Sequence, residues 1–172
     1  MRKLLVLACL IAAAALSVGA AGAVEPDIGV LSVERGKGVI VLELRGSMLG
    51  RLGNGVLTVT DMTPRDKYTA IVTGRKLTQV RQVGPRTARY RGQGLRFRML
   101  GGRYRITVRG SGIAISAVGR GVVSLDAERL SPFEDAGVYS IDGADCSLEA
   151  LSCTPLPDEP ERYSMGPEAT TP

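Results

Sequence analysis

Beyond the first 23 residues, apolar residues in this chain come in short runs and show no convincing helical period. Alternating or β-branched stretches occupy residues 39–44, 56–60, 68–73, 95–99, 104–108, 113–116 and 122–125. Glycines stand between them on a nearly regular beat. Gly38, Gly46, Gly55, Gly74, Gly84, Gly92, Gly101, Gly110 and Gly119 are separated by 8, 9, 19, 10, 8, 9, 9 and 9 residues. The one double step holds Thr63-Pro64-Arg65-Asp66, which is itself turn chemistry. Strands recurring at about 8–12 residues with turn residues between them predict an all-β fold. The expected form is an antiparallel sandwich or barrel of short strands joined by tight Gly turns. A β-solenoid is the alternative, since stacked rungs also place Gly at intervals, although rungs usually run about 20 residues or more.

The pattern also predicts one hairpin in detail. Residues 95–100 alternate apolar with Arg, Gly101-Gly102 offers a two-residue primed turn, and residues 103–109 alternate again. That turn would set Met99 against Tyr104, Phe97 against Ile106 and Leu95 against Val108, all on one face. The other face would bring Arg98 opposite Arg105 and Arg96 opposite Thr107. A slip by one residue would bury arginines, so the alternation specifies the facing strongly. Residues 39–42 are apolar on both faces and read as an interior strand. Five Gly-x-Gly-apolar triplets, beginning at Gly36, Gly53, Gly92, Gly110 and Gly119, invite comparison with phosphate-binding loops. Such a loop needs a helix after it to present its N-terminus. Here a strand follows each time, so turns and bulges are the expected use.

The N-terminus reads as an address. Arg2-Lys3 precede an apolar run over 4–18, broken only by Ser17, and Ala21-Gly22-Ala23 is a small-x-small cleavage site. Residues 1–23 are thus expected to be a signal peptide, cleaved before Val24, with Val18-Gly19-Ala20 as the second candidate site. The run is short for an uncleaved anchor, which needs about 20 residues. Cys9 lies too close to Lys3 for a lipoprotein signal. A secreted or extracytoplasmic location follows as the expectation. It makes the remaining two cysteines, Cys146 and Cys153, an expected disulfide. The expected organisation is a β-domain over 27–143, a disulfide loop over 144–153 and an acidic, Pro-rich, disordered tail over 154–172.

Charge is segregated along the chain. Residues 24–66 carry a net of −1, residues 67–125 hold thirteen basic side chains and no Asp or Glu, and residues 126–172 carry a net of −9. Eleven of the thirteen are Arg, whose fork suits phosphate, sulfate and carboxylate. Arg96, Arg98, Arg103, Arg105 and Arg109 on the expected hairpin form the candidate polyanion-binding face. The candidate partners are an anionic cell-wall or extracellular polymer, or the chain's own acidic C-terminal segment folded over the arginines. A solvated Arg surface on a protein-interaction domain is the competing reading. Aromatic residues are only 4% of the chain, which gives no stacking platform for specific nucleic-acid recognition.

Candidate catalytic chemistry is sparse. The chain has no His, which removes His-based triads and metal sites, and its three Cys are too scattered for a zinc cage. Glu34, Glu43, Asp61 and Asp66 show no spacing that singles out a pair for carboxylate-based hydrolysis, and neither Lys37, Lys67 nor Lys76 has a context for Ser–Lys chemistry. No catalytic residue, metal or cofactor is therefore expected, and the sequence leaves oligomeric state open. The expected role is an exported cell-envelope structural or binding module, with a carboxylate-based envelope hydrolase as the alternative.

The Gly-x-Gly beat, the Arg-rich alternating strands and the leader resemble small exported Gly/Arg-rich β-proteins of high-GC Gram-positive bacteria. The resemblance covers about residues 36–143. It implies an exported β-domain and assigns no activity or residue role.

Overall fold

The nine-residue beat turns out to mark corners. The structure, a computed structural model, describes residues 28–131 and 133–166, apart from the side chains of residues 78 and 79. The expected signal peptide lies outside them. Two very long strands dominate: β1 (Gly29–Asp61, 33 residues) and β3 (Thr87–Ala127, 41 residues). Between them runs β2 (Ile71–Gly84); β4 (Val138–Ile141), a 3-10 turn at Ala150–Ser152, β5 (Thr154–Pro155) and β6 (Glu161–Met165) follow. Each long strand is a series of straight legs. In β1 these are β1a (29–37), β1b (38–45), β1c (46–53) and β1d (54–61). In β3 they are β3a (87–94), β3b (95–102), β3c (103–110), β3d (111–119) and β3e (120–127).

β1 pairs with β3 along both of its edges. On one edge Val33 meets Ile115, Leu42 meets Ile106, Met48 meets Met99 and Val59 meets Ala88. On the other, Leu42 meets Val123, Leu52 meets Ile113 and Leu57 meets Val108. Successive legs therefore fall into two sheets. The first runs β5–β4–β1a–β3d–β1c–β3b–β2 and the second β6–β3e–β1b–β3c–β1d–β3a–β2, with β2 bending across from one to the other. Numbering the eight legs of β1a–β1d and β3a–β3d in chain order and leaving β2 aside, they lie 1-8-3-6 and 2-7-4-5, the connectivity of a jelly roll. The protein is all-β and antiparallel, and the sheet does not close into a barrel.

The inner faces of the two sheets form one core. Leu31, Met48, Leu95, Met99 and Ile113 come from the first sheet, and Ile40, Leu42, Leu57, Ile106 and Leu125 from the second; all are fully buried. Alternation along each leg supplies these positions; the inward parity changes between Val33 and Ile40, Leu52 and Leu57, Met99 and Tyr104, and Val108 and Ile113, and runs unchanged past Gly46 and Gly119. The corners are where glycine is required. Gly38, Gly110, Gly55 and Gly92 lie side by side across four legs as a seam along one bent margin. Gly29, Gly119 and Gly46 form a second seam along the other. At Gly110 φ is +145° and an added Cβ would stand 2.0 Å from the Asn54 carbonyl oxygen. Legs of about nine residues are the distance between the seams, and this is the origin of the beat.

Two expectations are corrected here. The glycines are mostly not hairpin turns, and the hairpin expected over 95–109 does not form. β3 passes through Gly101-Gly102 as a corner, so β3b pairs with β1c and β2 while β3c pairs with β1b and β1d. Phe97 lies opposite Gly50 and Val72, and Ile106 opposite Leu42 and Val59. The side-chain facing nevertheless holds: Leu95, Phe97, Met99, Tyr104, Ile106 and Val108 are all buried. A hairpin and a strand bent over a core bury the same alternating positions, so the pattern alone does not separate them.

The C-terminal expectations also change. The tail expected to be disordered from residue 154 supplies β5 and β6, and β6 pairs with residues 121–125 of β3e. Leu156 and Met165 are buried in the common core, so the domain continues to at least Gly166. Tyr139 of β4 and Tyr163 of β6 share a hydrogen bond of 2.5 Å between their hydroxyls. Tyr163 also donates to the Glu161 carboxylate, and these two bonds raise its pKa well above the ordinary phenol range. Cys146 and Cys153 form the expected disulfide. Its loop is not a loose appendage, because Cys146 is buried and its N–H donates to the Ser32 hydroxyl at 2.9 Å. Replacing both cysteines by Ser should therefore lower stability by about 2–3 kcal/mol. Equilibrium urea unfolding of the oxidised protein and the double variant measures this; equal midpoints would show that the staple acts only locally.

Candidate functional site

A trough runs along the outer face of the first sheet. Its floor is the outward side of β3d, where Gly112, Ala114 and Ser116 succeed one another at the two-residue strand period. Small side chains on a central leg, flanked by longer ones, leave a depression. It comprises two adjoining lobes of about 740 Å³ and 680 Å³ that share Glu34, Arg51, Thr73, Arg96 and Ala114.

The pairing register places the walls. Arg51 of β1c lies between Ala114 and Arg96, and Thr73 of β2 lies beyond Arg96. One row along, Leu49 lies between Ser116 and Arg98, with Ile71 beyond Arg98. Arg75 lines the far lobe. One side of the trough is thus lined by Arg51, Arg96, Arg98 and Arg75. The other side is set by β1a and the disulfide loop through Ser32, Glu34, Asp145 and Ser147.

The two sides differ in how their charges are satisfied. Arg51 reaches across to Glu34 at 3.7 Å, with its own side chain mostly exposed. Among the described residues neither Arg96 nor Arg98 has an ion-pair partner. Asp145 accepts hydrogen bonds from the Ser147 hydroxyl at 2.8 Å, the Ser147 N–H at 2.9 Å and the Ser32 hydroxyl at 3.5 Å. The Ser147 hydroxyl and N–H, in that order, hold its carboxyl below the ordinary carboxylate range against the opposing effect of burial. Glu34 and Asp145 both face the trough, yet a glycoside-cleaving pair needs one carboxyl kept protonated. Asp145, with its pKa lowered, fits only the ionised member of such a pair. Among the described residues no group of His, Cys, Asp and Glu is placed to hold a metal ion.

The five arginines expected on one face are divided by the Gly101-Gly102 corner. Arg96 and Arg98 line the trough on the first sheet. Arg103, Arg105 and Arg109 belong to β3c, on the outer face of the second sheet. There Arg103 is paired with Glu43 at 2.5 Å, Arg105 lies opposite Glu43 and Thr60, and Arg109 lies between Val39 and Val56. The expected Arg98–Arg105 opposition does not exist. Like-charged neighbours occur elsewhere, at Arg51 with Arg96 and at Arg45 with Arg103 and Arg120. The described part of the acidic segment lies along one flank of the sandwich. It pairs Asp135 with Arg35, Glu134 with Lys37 and Asp158 with Arg129, none of which belongs to the acid-free block over 67–125.

Sequence reasoning missed Arg51, Thr73, Ser116 and Asp145. Each joins the trough only through pairing between distant legs, and no local pattern marks them. What fold and site define is an all-β jelly-roll module with a basic open trough on one sheet face. Comparison with protein-family models, with curated proteins and with solved structures finds no match.

Proposed function

We propose that this protein is an exported cell-envelope binding module that recognises an anionic polymer in the trough of its first sheet. The observation that carries the reading is the run of Arg51, Arg96 and Arg98 over a small-residue floor, with Arg96 and Arg98 lacking a carboxylate partner among the described residues. Arg forks bind phosphate, sulfate and carboxylate through paired N–H donors. Ser116 and Thr73 add hydroxyls that suit a polyhydroxylated backbone, whereas those of Ser32 and Ser147 are engaged by Asp145. The floor from Gly112 to Ser116 spans about 13 Å at the strand rise, a length suited to a segment of an extended chain. The second sheet is the weaker candidate because Glu43 engages Arg103 and adjoins Arg105. The leader and the disulfide support an extracytoplasmic setting.

The test is binding to immobilised heparin, a soluble polyanion, across a salt series. Affinity should fall steeply with salt, since each neutralised anionic group releases counterions. The triple variant R51Q/R96Q/R98Q should lose at least about tenfold in affinity and show a shallower salt slope. The counterpart R103Q/R105Q/R109Q should lose much less. Equal losses in the two variants would mean that diffuse charge, not the trough, does the binding.

A further inference from the structure

The arginines do not have the trough face to themselves. Leu49 and Ile71 flank Arg98 within it, and both are about half exposed, at 50% and 47%. Beyond them on the same outer face Val118 and Leu100 are exposed to a similar degree and lie on either side of Ser47. On the strand diagonals Leu49 neighbours both Val118 and Leu100, so these aliphatic side chains form one patch directly beside the arginines. The segment that supplies Asp145 and Ser147 to the opposite side continues into the disulfide-closed loop, which carries Leu148 and Leu151 exposed, at 82% and 105%. A contiguous apolar patch beside a charged trough on a sheet's outer face points to a binding surface. A purely hydrophilic polyanion would leave it unused.

We infer that the anion held by Arg51, Arg96 and Arg98 is the charged end of an amphiphile, with the first part of its hydrocarbon lying over Leu49, Ile71, Leu100 and Val118. This rests on the trough being the anion site, and it narrows the ligand to an anionic lipid or lipid-linked headgroup. Charge complementarity fixes the orientation: the head lies on the row of Arg51 and Arg96, and the chain runs past Arg98 toward the seam at Gly46 and Gly119. Basic groups next to a lipid surface add electrostatic attraction to apolar contact, and the combination separates this surface from an ordinary solvated Arg face.

The experiment compares three probes with the full exported protein: soluble heparin, vesicles of phosphatidylcholine alone, and vesicles of phosphatidylcholine with phosphatidylglycerol. Two apolar variants, L49S/I71S in the trough and L148S/L151S on the loop, are measured beside R51Q/R96Q/R98Q, with thermal unfolding of each as a check on the fold. The expected result is binding to the phosphatidylglycerol vesicles and not to phosphatidylcholine alone. L49S/I71S should weaken vesicle binding by at least about tenfold and weaken heparin binding far less. L148S/L151S alters no buried side chain and should weaken vesicle binding in the same sense, so the outcome does not depend on the trough variant folding. Wild-type binding to heparin with none to the anionic vesicles, or vesicle binding unchanged in both apolar variants, would overturn the amphiphile and leave the polymer reading standing. Unchanged heparin and vesicle binding in R51Q/R96Q/R98Q would overturn the anion site itself.

Discussion

Gly110→Ala should be the most damaging single-methyl change in this protein, lowering stability by more than about 3 kcal/mol. Gly110 sits where β3 bends from the second sheet to the first, between Gly38 and Gly55 in the seam. Its φ of +145° is strained for any L side chain, and the new Cβ would stand 2.0 Å from the Asn54 oxygen and 2.9 Å from the Gly55 Cα. Both are backbone atoms of a central leg, so no rotamer change relieves the overlap. The only escape is to open the pairing of β1d with β3c. Gly84→Ala is the matched control, because nothing lies within 4 Å of a Cβ built there. It should stay within about 0.5 kcal/mol of the parent. Urea unfolding of the two variants, with midpoints and slopes compared, decides the matter. Equal stability would mean that the seams are looser than their geometry implies.

Phe97→Ala should cost about 3–5 kcal/mol, the range for truncating a buried aromatic. Phe97 is 3% exposed and projects from β3b into the core. Its ring occupies the space that the missing side chain of Gly50 leaves on the neighbouring leg: the ring Cζ lies 2.1 Å from where a Gly50 Cβ would be. The two positions are directly paired, so a glycine that would weaken a strand is covered by an aromatic ring. This predicts strong coupling. Gly50→Ala alone should be destabilising, because Ala and the ring compete for one volume. In the Phe97→Ala background the same methyl should cost little or partly refill the cavity. A double-mutant cycle measures the difference, and simple additivity of the two losses would contradict the packing described.

The hairpin that does not form shows where local reading stops. Alternation along 95–109 places Phe97 and Ile106 in the core and Arg96, Arg98 and Arg105 outside, and burial follows that pattern. Alternation is a property of one strand and its two faces. It says nothing about which strand lies alongside, because hairpin pairing and folding over a corner satisfy it equally. The candidate site inherited the error. With β3b and β3c in one hairpin the five arginines share a face; with a corner at Gly101-Gly102 they are divided between opposite faces of the sandwich.

The C-terminal segment shows a different limit. Its five prolines and acidic composition after Cys153 are those of a disordered tail. Its described residues are held by the buried side chains of Leu156 and Met165, by the Tyr139–Tyr163 and Arg129–Asp158 contacts, and by pairing with β4 and the free edge of β3e. An open edge is created by the fold, and composition carries no trace of it.

The sequence by itself therefore determined the all-β class, the nine-residue beat, the inward and outward side of the alternating residues 95–109, and the Cys146–Cys153 pair. These depend on the strand period, on glycine's conformational range and on a single even pair of cysteines. Tertiary structure alone decided that Gly55 abuts Gly110, that Arg51 stands beside Arg96 over Ala114, and that Ser32, Asp145 and Ser147 close the other side of the trough. Each of these brings together residues far apart in the chain. Their contact is chosen by how two long strands share one core, a choice made by total burial and hydrogen bonding and not by any short stretch of residues.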